Sequence, residues 1–186
     1  DSVSDDFPVT IPVFALSIAS FLKGTSPMSQ DFPDLESYQI DDSWAVAHSS
    51  IRNLPVIVRL RPNLIDIAGH PQLSHRIRVI WKYQPDSEFG LPATEEMTSM
   101  DVCENALIES LEKDNQTIMT HILTGDSMRQ WIFYSSDVQG AVERLREIID
   151  AGVSQTVLEA TAQEDSQWEE YLETRNSLNL DGTPPS

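Results

Sequence analysis

Cysteine occurs once in 186 residues, at Cys103. That excludes an intramolecular disulfide and a cysteine-based zinc site. A lone thiol suits a reducing compartment, so a cytoplasmic location is expected. Bases are scarce as well: 12 Lys and Arg stand against 30 Asp and Glu, a net charge of −18. Such a charge repels nucleic acid and anionic membranes and favours basic partners. The plainer reading of the same charge is solubility. Long apolar runs are missing too. The longest, residues 11–22 (IPVFALSIASFL), is too short for a membrane span and contains Pro12. The residues before it are acidic, where a secretion signal wants positive charge. It reads as a strand or short helix docking on the domain. The chain begins at Asp1 and not at Met, which suggests a processed or trimmed N-terminus. Catalytic signatures are absent: there is no Gly-x-Ser-x-Gly, no phosphate-binding glycine loop and no His-Glu-x-x-His.

What is present is a globular pattern, with 40% apolar residues. The length fits one domain, residues 40–178, with an N-terminal extension over 1–39 that docks on it and a tail over 179–186. SWAVAHSS (43–50) and PVIVRLR (55–61) read as strands joined through Arg52-Asn53. Residues 62–73 read as a loop. SHRIRVIWKY (74–83) alternates Ile77, Val79, Trp81 and Tyr83 against Arg76, Arg78 and Lys82, a half-buried strand. Gly90-Leu91-Pro92 then turns the chain. Thr94 is the expected cap of a helix running to about Lys113, with Glu95 and Glu96 in its first turn, where the helix dipole favours negative charge. Residues 117–125 and 128–135 form a hairpin. Ser136 and Gln139 suggest a capping box for the next helix, which Gly152 closes. Residues 153–160 read as a last strand and 165–175 as a terminal helix presenting Trp168, Tyr171 and Leu172 inward.

From residue 75 the order is β-α-β-β-α-β, so the expected fold is α+β: a ferredoxin-like βαββαβ two-layer sandwich, extended by an N-terminal hairpin and a short C-terminal helix. In that topology residues 84–94, 124–128 and 150–153 meet at one end. They bring together Asp86, Glu88, Glu95, Glu96, Asp126 and Asp150 as an acidic edge for a partner. The rest of the acid load is also uneven. Residues 1–42 hold eight acids against Lys23, and residues 137–186 hold eleven acids against three arginines.

Glu104 falls within the apolar stripe of the 94–113 helix, between Met97, Met100, Ile108 and Leu111. A carboxylate there needs a raised pKa or a cationic partner. Acid–base catalysis by Glu104, or by Asp101 with a histidine, is one reading; a structural ion pair is the commoner one. His70 and His75, near Asp66, match no metal-ligand spacing, and neither metal nor cofactor is expected. His121 reads as a packed or face-exposed strand residue. Cys103, on an apolar stripe, reads as an inert buried thiol. Arg59, Arg61, Arg76, Arg78 and Lys82 fall on outward strand positions near Trp131, Phe133 and Tyr134. An open sheet of bases and aromatics can stack RNA bases. Pairing of those bases with the acidic terminal segments fits the overall charge better.

Four stretches carry a resemblance. VIWKYQPDSEFGLPATEEM, ENALIESLEKD and TGDSMRQWIFYSSD are together similar to the bacterial domain of unknown function 695 family. DSQWEEYLETR resembles the Trp-x-x-Tyr ending of the acidic type B regulators of ribonuclease E activity. The resemblance spans roughly residues 40–175 and leaves 1–39 outside. It implies a ferredoxin-like fold, no catalytic residues to carry over and, by the regulator analogy, an acidic protein that binds another protein. Two functions follow as expectations. One is a non-enzymatic inhibitor or immunity protein neutralising a basic toxin or nuclease. The alternative is an enzyme of unknown class using Glu104 or Asp101.

Overall fold

Among the described residues six strands, β1 (Ala45–Ile51), β2 (Leu54–Leu60), β3 (His75–Lys82), β4 (Thr117–Gly125), β5 (Met128–Ser135) and β6 (Leu158–Glu164), form one sheet ordered β1-β2-β4-β5-β3-β6, with apolar alternation clearest in β2 and β3. Every neighbouring pair is antiparallel. Among the same residues are three helices, α1 (Thr94–Leu111), α2 (Val138–Asp150) and α3 (Glu169–Ser177), with a 3-10 turn at Pro62–Ile67. The fold is therefore mixed α+β. The computed structural model describes residues 32–51, 54–86, 89–154 and 156–178. The 11–22 run, the turn at Arg52-Asn53 and the 179–186 tail lie outside the described residues.

The sheet is covered on both faces, not on one as expected. On the first face α1 and α2 bury Met100, Cys103, Leu107, Leu111, Leu145 and Ile148 against Ile77, Val79, Trp81, Trp131 and Phe133. On the second face a separate core joins Leu64, Ile67 and Leu73 to Ile132, Tyr134, Trp168 and Tyr171. Trp168 stacks on Tyr134 with ring centroids 4.1 Å apart, and its indole N–H donates to the Leu73 carbonyl at 2.9 Å. Leu172, expected to face the body with them, is half-buried there.

Local chemistry corrects several expectations. Thr94 does not cap α1: it is already the first helical residue, and Ala93 precedes it with no side-chain bond. Asp137, and not Ser136, caps α2, its carboxylate accepting the Gly140 N–H at 2.9 Å. Ser136 donates instead to the Gln116 carbonyl at 3.3 Å, and Gln139 reaches Glu143 at 3.0 Å, so no capping box forms. Gly152 does take the left-handed conformation, at φ 69°. The last strand is Leu158–Glu164 and not 153–160.

The bases do not share one face. Arg59 on β2 and Arg61 just after it turn toward α1, while Arg76 and Arg78 on β3 turn toward α3. A bulge in β4 has a similar sorting effect. The β4–β5 register shifts between Met119 and His121, so Thr120 is an extra residue. One extra residue reverses the alternation beyond it. Ile118 and His121, three apart, therefore both lie on the second face, and His121 comes to rest beneath α3.

Candidate protein-binding end

The end of the sheet reached by the C-termini of β3 and β4 is sewn together by backbone. Tyr83 N–H donates to the Ser127 carbonyl at 3.0 Å, and Ser127 N–H donates to the Gly90 carbonyl at 3.2 Å. The Tyr83 hydroxyl also donates to Gly90 O, at 2.9 Å. Gly90 sits at φ 71°, where a side chain would be strained, and a Cβ there would meet the Asp126 amide at 3.5 Å, an ordinary contact. The loop after β3 and the β4–β5 turn thus form one unit.

This unit carries most of the expected acids. Asp86 is exposed, its N–H held by the Leu91 carbonyl at 3.1 Å. Glu95 is exposed in the first turn of α1. Glu96 is half-buried and accepts the Trp81 indole N–H at 2.5 Å. Asp126 occupies the turn at φ 50°. Burial pushes the Tyr83 phenol up to about 12; the Arg129 charge opposes this, and the charges of Asp126 and Glu96 add to it. Both carboxylates are thus near enough for their charge to act on Tyr83. Asp150 ends α2, exposed, at the same end of the fold, with no bond to the unit. Glu88 lies outside the described residues.

Several other charged side chains are engaged elsewhere. Beneath α1, Glu104 Oε1 meets Arg59 at 2.8 Å, and Oε2 accepts the Trp131 indole N–H at 3.0 Å. Arg129 approaches Glu104 at 3.7 Å and holds Asp101 at 2.9 Å. Arg61, 2% exposed, bonds Glu112 at 2.5 Å and Asp42 at 3.2 Å. Trp44 stacks on the guanidiniums of both Arg59 and Arg61, at 4.8 and 4.7 Å. Burial raises the Cys103 thiol to about 11, with Glu104 adding to the effect, which leaves it a poor nucleophile at neutral pH.

Beneath α3, Glu170 pairs with Arg76 and, at 2.6 Å, with Arg78. Burial pushes the Glu170 carboxyl up, but the contact with His121 and the charges of Arg78 and Arg76 outweigh it and hold it down to about 2. Burial keeps His121 neutral, and its Nε2 stands 3.5 Å from Glu170, long for a hydrogen bond. The two guanidiniums therefore do most of the work. His70 accepts the Gln72 N–H and His75 bonds Ser74, each locally. Among the described residues no group of three or more His, Cys, Asp or Glu is placed to hold a metal ion. No helix among them is long and apolar enough to cross a membrane.

A concavity of about 1010 Å³ is an open groove lined by Glu36, Tyr38, Glu112, Asp114 and Asn115. Two of its acids are paired: Glu112 holds Arg61 and Asp114 holds Arg144. The sequence reading missed Tyr83 as the residue that ties the loop after β3 to the β4–β5 turn, and Trp44 as the aromatic beside two arginines. The Asp41-Asp42-Ser43-Trp44 run before a strand bearing Arg59 and Arg61 was the available signal for the second.

Among known proteins, the model of a family described as a family of unknown function, DUF695, matches residues 42–174, the greater part of the chain. No curated protein and no solved structure matches.

Proposed function

This chain belongs to the DUF695 family, and we propose that it is an acidic, non-enzymatic protein-binding module, an inhibitor or immunity protein that neutralises a basic partner such as a toxin or nuclease. One observation carries the reading. Bases are the scarce charge, and seven of the twelve (Arg59, Arg61, Arg76, Arg78, Lys82, Arg129 and Arg144) are tied into ion pairs. Those pairs draw on acids elsewhere in the fold, such as Glu104, Glu112 and Glu170. At the end near Tyr83, Asp86 and Glu95 are left to the solvent. Exposed charge of one sign steers a partner of the other sign, and a few desolvated pairs then set how long it stays. Nucleic acid is no partner on this reading, since Arg76 and Arg78 are occupied by Glu170 and the net charge repels phosphates. The single thiol supports a cytoplasmic setting.

We assign β3 to β6 with α1 and α2 to the ferredoxin-like βαββαβ arrangement. Its support is the order β4-β5-β3-β6 with both crossover helices on one face. The β1–β2 hairpin extends that sheet. What favours the enzyme alternative is the convergence of Glu104 and Asp101 on Arg129. It takes second place because both Glu104 oxygens are already engaged.

The test is capture from a lysate of the native organism, followed by kinetics with the captured protein made pure. The partner should be basic. Joint reversal of Asp86, Glu88 and Asp126 to Lys should slow association strongly. Salt should do the same, because at about 0.15 M the Debye length is already about 8 Å. A pure partner indifferent to both the reversal and salt defeats the site assignment. A partner that is not basic defeats the function.

A further inference from the structure

The two edges of the sheet differ in kind. Edge strands present a row of unpaired backbone N–H and C=O groups, and proteins blunt them with charges, proline, bulges or short length. β6 is blunted: it carries Glu159 and Glu164, and Glu159 is paired with Lys82. β1, with the sequence AVAHSSI, has no acid, no Lys or Arg, and no proline. It pairs with β2 over all seven residues without a register shift. Among the described residues no strand lies on its outer side. Val46 is 62% exposed, and His48, Ser49 and Ser50 are exposed beside it.

We infer that β1 is a homodimerisation edge, on which a second copy of this chain adds its own β1 antiparallel and continues the sheet across a two-fold axis. The occupant follows from charge. With a net charge of −18, two copies repel each other over most of their surface. The β1 edge is a flank where they can approach without setting carboxylate against carboxylate. A basic partner finds no anion along this strand, so it belongs at the acidic end instead. An antiparallel pair centred on His48 sets Val46 against Ser50 of the copy and Ala47 against its Ser49, so no like charges face each other. The contact is isologous: it uses up the only β1 of each copy and closes at two.

This inference stands apart from the proposed function and has the opposite salt dependence. The full chain is taken through sedimentation equilibrium at pH 8 over a range of concentrations, at about 0.05 M and about 0.5 M NaCl. The expected result is a monomer–dimer equilibrium that tightens as salt screens the net charge. The double variant V46K/S50K sets lysines directly opposite each other twice across the ladder. It should weaken the dimer at least about tenfold, with the circular dichroism spectrum of the monomer unchanged. Glu164→Lys, on the other edge, should leave the dimer as it was. A monomer at every concentration and salt overturns the inference, as does a dimer that V46K/S50K leaves intact or that Glu164→Lys alone disrupts.

Discussion

Glu104 Oε1 stands 2.8 Å from the Arg59 guanidinium while its other oxygen accepts from Trp131. One carboxylate thus joins α1 to β2 and β5 within an otherwise apolar layer. Arg129, only 5% exposed at its side chain, also depends on it at 3.7 Å. Glu104→Gln keeps the shape and removes the charge, leaving the buried arginine with Asp101 as its near anion. The expected cost is about 1–3 kcal/mol, read as a lower urea midpoint with the folded spectrum retained. A hydrolytic or transfer activity abolished by this substitution, with stability intact, would make Glu104 an acid or base and not a strut.

Leu107 tests the packing of α1. It is fully buried between helix and sheet, beside Cys103 and Leu111. Leu107→Ala removes apolar contact and leaves a cavity, at about 2–5 kcal/mol. For a domain of this size that lowers Tm by about 10 °C. An unchanged Tm would mean that α1 packs through another face.

How much of this was legible depended on burial. β3, β4 and β5 carry a one-sided or fully buried pattern, and the spacing located them to within a residue; β4 and β5 match residue for residue. β6 was misplaced by several residues because it sits at an edge, exposed from Glu159 to Glu164, so no alternation marks it. The Thr120 bulge left no trace in the apolar pattern, and with it the position of His121 was hidden. Caps failed for a local reason: Ser136 and Asp137 are both good caps, and the Gln116 carbonyl takes the Ser136 hydroxyl. The acidic end was legible as topology, since strand order places its loops together. The tie through Tyr83 was not, because a tyrosine at the end of a strand reads only as core.

Stability should fall with acid in two steps. Burial lowers the His121 pKa below its ordinary 6.5. The unfolded chain then binds more protons in that range, so the stabilisation present above about pH 6.5 is lost as pH falls. His70, lowered by burial too, adds to this first step. Glu170, held down to about 2 from 4.5, contributes stability that is lost as pH falls from 4.5 toward 2. The groups facing His121 are Arg76 and Arg78 from β3 and Glu170 from α3. In urea titrations at pH 7.5, 5.5, 4 and 3, His121→Gln should flatten the first decline and Glu170→Gln the second. A first decline untouched by His121→Gln would mean that the imidazole is not buried neutral.

The last prediction joins fold to binding through Gly90. Its φ of 71° is a backbone conformation in which any side chain is strained. Gly90→Ala should therefore cost about 1 kcal/mol or more and shift the loop that carries Asp86. Tyr83→Phe removes the hydroxyl bond to Gly90 O and should cost about 1 kcal/mol, loosening the same loop from the β4–β5 turn. Neither substitution alters a charge at neutral pH, because the Tyr83 phenol, pushed up to about 12, is already neutral there. Any loss of partner binding must then come from the placement of Asp86 and Asp126, not from the amount of charge. Steering by net charge alone would leave the association rate unchanged and raise only dissociation. A site that needs these acids fixed in position should lose on both rates with the pure partner, and more at high salt, where close pairs outlast long-range attraction. Unchanged binding in both variants would mean that the ordered geometry of this end is irrelevant, and the acidic helix α3, with Glu169 and Glu173, would become the surface to reverse next.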